Sequence, residues 1–250
     1  MDGSDLRGEA DPADSADPAD SADPAAPGDD RPASGATDAF DRAIEAFQAG
    51  EPICVHDADD REGETDILYP AGAVTPADLA RLRNDGGGLV FVALSDAVAE
   101  AFDLPFLHDL IDHPAGRFDG LGYDVRPSFS LTVNHRETYT GITDEDRALT
   151  VRALADAASD PKSFDFAGEF RAPGHVHLLR GAPGLLAERE GHTELGLALA
   201  GAAGQPPAVV GCEMLDDETG DALAPADAAA YAARRDIPYV EGAALVEALA

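Results

Sequence analysis

The sequence predicts a single layered α/β domain of the α+β type, a mixed β-sheet flanked by helices. Three observations predict it. Short apolar runs alternate with helical patterns through one continuous body from about residue 38 onward. The first two runs, PICVH and DILYP, lie close enough to pair as a hairpin, so the sheet is mixed and not wholly parallel. A chain of 250 residues with a 44% hydrophobic share is also long enough for one sizeable core.

The elements follow in order. The near-repeat ADPADS-ADPADS-ADPA and the following APGDDRPASG offer almost no apolar side chains to bury, and residues 1–36 are expected to form a disordered acidic tail. Residues 37–250 then form the domain. Phe40, Ile44 and Phe47 stand at helical spacing, with Thr37 or Asp38 as cap and Gly50 as stop. Residues 52–56 and 66–70 read as buried strands. Thr75 and Pro76 open a helix closed by glycines, and residues 89–94 form a central strand. Residues 105–127 read as a long loop of the kind that carries function. Strand 129–135 alternates, and Thr143 caps a helix whose first turn is acidic, which suits the helix dipole. A second loop, SDPKSFDFAGEFRAPG, precedes strand 175–180. A helix in HTELGLALAGAAG, a strand in PAVVGCEM and two closing helices complete the chain.

Charge narrows the function classes. Seventeen basic residues against 49 acidic ones give −32. Residues 1–38 hold eleven acids and two arginines, a net −9, which leaves −23 on the remainder. Lysine occurs only at Lys162. Such single-sign charge repels itself unless salt screens it, so the surface reads as adapted to a salt-loaded cytoplasm, with binding of basic partners as the rival. No basic stripe exists to neutralise phosphates, so nucleic acid is not an expected partner. No apolar run approaches the ~20 residues that span a bilayer, so no membrane association is expected. Cys54 and Cys212 sit in apolar stretches without a CxxC pair and read as buried thiols of a reducing compartment.

Two constellations could carry chemistry. In DREGETD (60–66), Glu62, Glu64 and Asp66 alternate and project to one face of an extended segment, which is costly unless a cation or proton offsets it. Arg61 beside them offers a fork for a phosphate. A solvated acidic loop is the alternative. In REGHTE (189–194), helix-start amides with Arg189 and the Thr193 hydroxyl make a phosphate cradle, and His192, exposed at that start, could reach a metal or substrate oxygen. Thr193 as a mere cap and His192 as a surface residue is the alternative there. Weaker signals are Thr140 in the TGITD stretch, His175 in PGHVH, and Glu213 at the end of a buried strand, the usual position of sites in α/β sheets.

The strings DADDREGETDILYPA, HRETYTGITDEDRALT, FRAPGHVHLLR, REGHTELGLALA and AVVGCEMLDDETG together resemble 3,4-dihydroxy-2-butanone 4-phosphate synthase, in its archaeal, monofunctional branch, over about residues 38–247. The resemblance implies a lyase of riboflavin biosynthesis that converts D-ribulose 5-phosphate to formate and L-3,4-dihydroxy-2-butanone 4-phosphate. It implies magnesium, with manganese as a substitute, held by Glu62 and His192. It also implies catalytic roles for His175, Glu213 and Glu64. Substrate contacts would come from Arg61, Glu62, Asp66, Thr140, Glu213 and the loop Arg189, Glu190, Gly191, His192 and Thr193. A homodimer with active sites at the interface is implied as well. The chain departs from the family in carrying Phe91 where a cysteine is common, and in its acidic tail. Another sugar-phosphate enzyme, such as an isomerase, and a non-catalytic acidic module are the competing readings.

Overall fold

The structure, a computed structural model, describes residues 33–58, 61–117, 120–122 and 124–250. The expected tail lies outside the described residues up to residue 32. Helix α1 (Ala33–Ala49) begins inside the segment assigned to that tail, because ASGATDAF is rich in alanine, the strongest helix former. Gly50 ends it at φ +80°.

Strands β1 (Ile53–His56) and β2 (Thr65–Pro70) form the expected hairpin, with Cys54 opposite Ile67. Helix α2 (Pro76–Arg81) starts at a capping box in which Thr75 and Asp78 exchange hydrogen bonds. It runs into a π-helical turn, Leu82–Gly86, before β3 (Phe91–Leu94). Helix α3 (Asp96–Ala101), capped by Ser95, has too short a pattern to stand out in sequence. The long stretch 105–127 holds α4 (Leu107–Leu110) and a 3₁₀ turn, Pro114–Gly116. Strand β4 (Phe129–His135) and helix α5 (Asp144–Ser159), capped by Thr143, fall where expected.

The second expected loop is shorter than read. Helix α6 (Phe166–Glu169) and the first half of β5 (Phe170–Arg180) occupy it, and β5 follows β4 through two register shifts. Those irregularities interrupt the alternation that would have marked a strand. Helix α7 (His192–Ala202), β6 (Ala208–Glu213), α8 (Pro225–Arg235), the short β7 (Tyr239–Glu241) and α9 (Gly242–Leu249) close the chain. Strand β7 was hidden by its three-residue length.

The seven strands make one mixed sheet in the order β4-β5-β3-β6-β2-β1-β7. Pairs β3–β5 and β1–β7 are parallel, and the other neighbours antiparallel. The period of two sorts each central strand between two cores. Cys54, Ile67, Tyr69, Val92, Val210 and Cys212 face one, covered by α2, α3, α5 and α8. Ile53, Val55, Leu68, Phe91 and Val209 face the other, covered by α1, α7 and α9. Helix α7 is buried almost all round, which is why its first turn can hold charged groups away from water. Among the described residues no helix is long and apolar enough to cross a membrane.

Candidate active site

The site forms where β2 begins and β6 ends. Their antiparallel register sets Asp66 opposite Glu213, so two carboxylates 147 positions apart in the chain become neighbours. The segment Gly86–Gly88 wraps the end of β6. Gly88 N–H donates to the Glu213 carbonyl at 3.1 Å, and Leu89 N–H donates to Glu213 Oε2 at 2.6 Å. A Cβ at Gly88 would stand 2.9 Å from both Glu213 Cβ and its carbonyl oxygen, so only glycine allows this approach.

The acidic turn between β1 and β2 is closed by a residue the sequence did not single out. Asp57 N–H donates to the Glu64 carbonyl at 3.0 Å. The Asp57 carboxylate accepts from Glu62 N–H at 3.3 Å and Glu64 N–H at 3.0 Å. The turn thus presents Glu62 and Glu64 as a fixed pair.

Helix α7 arrives opposite. Gly191 is its N-cap, without a side-chain cap, and His192 is its first residue. Two expectations change here: His192 is buried at 9% exposure, and Thr193 is fully buried with an unpartnered hydroxyl instead of capping the helix. Packing between the sheet and α9 encloses this helix start. His192 Nδ1 lies 2.8 Å from Glu62 Oε2 and 3.9 Å from Asp66 Oδ2, and its ring packs on Phe91 with centroids 5.2 Å apart. The 2.8 Å approach is not aligned as a hydrogen bond, and both atoms, with both Asp66 oxygens, are buried without a hydrogen-bond partner. Arg189 pairs with Asp124, with Glu194 at 2.6 Å and with Glu62 at 3.7 Å. Arg61, Glu62, Glu64, Arg189, His192 and Glu213 line one cavity of about 320 Å³, floored by Phe91 and Leu179.

Crowding sets the protonation states. Burial pushes the Asp66 carboxyl up to about 8, with Glu213, Glu64 and Asp57 adding to the rise and His192 opposing it. Burial alone would lower His192, but Asp66, Glu62 and Glu213 outweigh it and hold the imidazole at about 10. Burial raises Glu64, helped by Glu213 and Glu62. Glu62 is also penalised by burial, yet His192, Arg189 and Arg61 bring it below the ordinary glutamate value. One lowered carboxyl, Glu62, and three raised ones, Asp57, Glu64 and Asp66, stand around one imidazole, an arrangement able to hold and release protons.

The family model for 3,4-dihydroxy-2-butanone 4-phosphate synthase matches residues 41–248. The chain belongs to this family. It is 47% identical over 220 residues to the synthase of Archaeoglobus fulgidus, covering 83% of this chain and 92% of that one. The fold is similar to the Candida albicans synthase structure at TM-score 0.69 and 33% identity, covering 84% of this chain and 97% of that one. It is also similar to a synthase structure in complex with two magnesium ions, at TM-score 0.69 and 30% identity over 81% of this chain and 92% of that one.

Not every residue carried over from the synthase motifs reaches the cavity. His175, Thr140 and Glu190 do not line it, nor do Asp66, Gly191 and Thr193. His175 N–H donates to Asn134 Oδ1 at 2.8 Å, and its ring nitrogen lies 3.1 Å from Asn134 Nδ2. Gly141, next to Thr140, packs against the same asparagine, so His175 belongs to a second group centred on Asn134. The Thr140 hydroxyl contacts Asp146 at 3.3 Å, and Glu190 is exposed. Asp57, Asp124, Glu194 and Asn134 escaped sequence reading, because a single Asp, Glu or Asn in so acidic a chain carries no pattern. Glu194, in the GHTE string, was the most findable.

Proposed function

We propose that this protein converts D-ribulose 5-phosphate to formate and L-3,4-dihydroxy-2-butanone 4-phosphate, a step of riboflavin biosynthesis. The observation that carries the reading is the convergence of the acidic turn, the start of α7 and the end of β6 on one cavity. The competing isomerase would use the same groups but release no formate. A binding module would have no need for so many buried ionisable atoms without hydrogen-bond partners, which are costly unless chemistry uses them.

Family membership implies a divalent cation, and the residues fit one. Glu62 Oε2, both Asp66 oxygens and His192 Nδ1 are buried without a hydrogen-bond partner, although Glu62 and His192 face each other at 2.8 Å, and they form a group dominated by the hard oxygens magnesium takes. Glu62 and His192 are its proposed ligands. Among the described residues no group of three or more His, Cys, Asp or Glu converges as a ligand set. That accords with an ion that keeps water and substrate oxygens in its shell. When bound, the cation stabilises negative charge that develops on neighbouring substrate oxygens. Manganese is the proposed substitute.

The protein's own groups do the rest. Arg61 and Arg189, which line the cavity, take the phosphate together with the amides at the α7 start. Glu64, raised and lining the cavity, exchanges the protons of enediol formation beside the carbonyl and of the loss of the first-carbon hydroxyl as water, with the fully buried Asp66 behind it. Glu213, fixed by Leu89 N–H, serves the migration and the release of the fourth carbon. The water lost early is regained in formate, so the overall reaction is balanced. His175 and Thr140 are assigned to the same reaction through a homodimer with active sites at the interface. Tyr139 at 93% and Ile142 at 53% exposure, flanking Thr140, are apolar surface available to such a contact. The net charge of −32 supports a salt-adapted, cytoplasmic enzyme.

Incubation of the full chain with ribulose 5-phosphate and magnesium at high salt is expected to yield formate. An isomerised pentose phosphate without formate would refute the reading. A second expectation concerns pH. With His192 held at about 10 and Asp66 at about 8, the cation-free site is protonated at neutrality, and a ligand imidazole must lose its proton. Magnesium affinity should therefore rise with pH, by about tenfold per unit between roughly pH 6 and 8 where one proton is displaced. Calorimetry in buffers of different ionisation enthalpy would register the released proton; a pH-independent affinity would contradict the assignment of His192.

A further inference from the structure

A second cavity, of about 660 Å³, adjoins the catalytic one and is larger than it. Arg61, Arg126, Ser128 and Arg189 line both, so the two spaces share a wall. Arg180 and Phe106 complete a wall with four arginines, in a chain with only 17 basic residues. Among the described residues its carboxylates are Asp124, Glu188 and Glu194. Asp124 and Glu194 are engaged by Arg189, and Glu188 accepts from Gly184 N–H at 3.0 Å. Arg180 is likewise engaged, by Asp96 at 2.7 Å and by Glu100.

Among the described residues that leaves Arg126, and Arg61 on the shared wall, as the cations without a close carboxylate. Arg61 Nε and Nη2 are buried without a hydrogen-bond partner. Among the described residues Arg126 has one ion pair, to Asp109 at 3.6 Å, with that carboxylate half exposed. Its guanidinium stacks 3.6 Å above the Phe106 ring, and that of Arg180 lies 4.9 Å from the same ring. The ring fixes Arg126 in a single plane, at the cost of drawing two like charges toward one point. A dianion between them relieves that cost and gains charge-assisted bonds.

We infer that this second cavity is an anion vestibule in which Arg126, stacked on Phe106, and Arg61 on the shared wall hold a phosphate monoester at the entrance to the catalytic cavity. The substrate assignment rests on the proposed function. The physical need is general: a surface this acidic repels a sugar phosphate everywhere except where arginines gather, and a charged cleft of opposite sign raises the local substrate concentration.

The test uses the full chain with magnesium at fixed ionic strength. Arg126→Gln should raise KM for ribulose 5-phosphate about tenfold while kcat falls by less than about twofold, the split expected for lost binding. Inorganic phosphate, titrated by calorimetry, should bind Arg126→Gln about tenfold more weakly than wild type, and Phe106→Leu should fall between. Arg42→Gln, which removes an equal charge from exposed α1, should behave as wild type. Saturating ribulose 5-phosphate should displace inorganic phosphate. Unaltered phosphate affinity in Arg126→Gln, or a loss confined to kcat, overturns the vestibule. Phosphate that stays bound under saturating substrate overturns the substrate assignment. If wild type releases no formate, the proposed function fails, while the phosphate titration still decides the vestibule.

Discussion

Glu62→Gln is expected to lower kcat for formate release by on the order of 10³-fold or more while leaving the chain folded. The side chain touches His192 at 2.8 Å and Arg189 at 3.7 Å, so it meets both the proposed cation and the arm that takes phosphate. Glutamine keeps the volume but loses the charge that a divalent cation requires. It also removes one of the carboxylates that hold the His192 proton, so the imidazole should titrate lower than in wild type. The structural cost is small, because Glu62 is held through its backbone N–H by Asp57, which the substitution does not touch. Single-turnover formate release, with far-UV circular dichroism as the folding control, would check this. The stabilisation that magnesium gives in a thermal melt should also disappear. A variant that keeps more than about a tenth of wild-type kcat would exclude Glu62 as a ligand, since loss of a metal ligand costs far more.

Glu194→Ala is expected to have the largest effect on stability, about 2–4 kcal/mol. Glu194 is fully buried, bonds Arg189 at 2.6 Å and accepts Ala182 N–H at 2.9 Å. Its removal strands a buried guanidinium edge and an amide donor, and unmatched buried groups cost more than the pair contributed. The figure lies below that for a wholly isolated pair because Asp124 and Glu62 still neighbour Arg189. Urea denaturation at constant ionic strength gives the difference directly, with Glu194→Gln intermediate because the amide oxygen still accepts from Ala182. A change under about 0.5 kcal/mol would place the pair among surface ion pairs of little weight. Activity should fall too, through KM, as Arg189 loses the partner that aims it.

The architecture was legible wherever a residue pattern repeats with the period of its element. The capped starts at Thr75 and Thr143, the alternating strand 129–135 and the hairpin near the N-terminus all stand as the side-chain spacing required. What escaped was short or irregular: three-residue β7, the bulged first half of β5, and α3. Each is stabilised by neighbours more than by its own sequence, so its own sequence carries little signal.

At the site, the sequence by itself determined the chemical inventory: the acidic turn, the GHT helix start and the strand-end carboxylate, together with the family they mark. Tertiary structure alone decided which of these share a cavity. The Asp66–Glu213 register joins carboxylates distant in sequence, and the burial of α7 turns an expected surface histidine into one held at about 10. The same packing sets His175 on Asn134 and Thr140 on Asp146, away from the cavity. The physical reason is that residue type fixes what a group can donate, accept or ionise. Desolvation and charge neighbours, which decide whether it does so near neutral pH, come into being only when separate segments pack together.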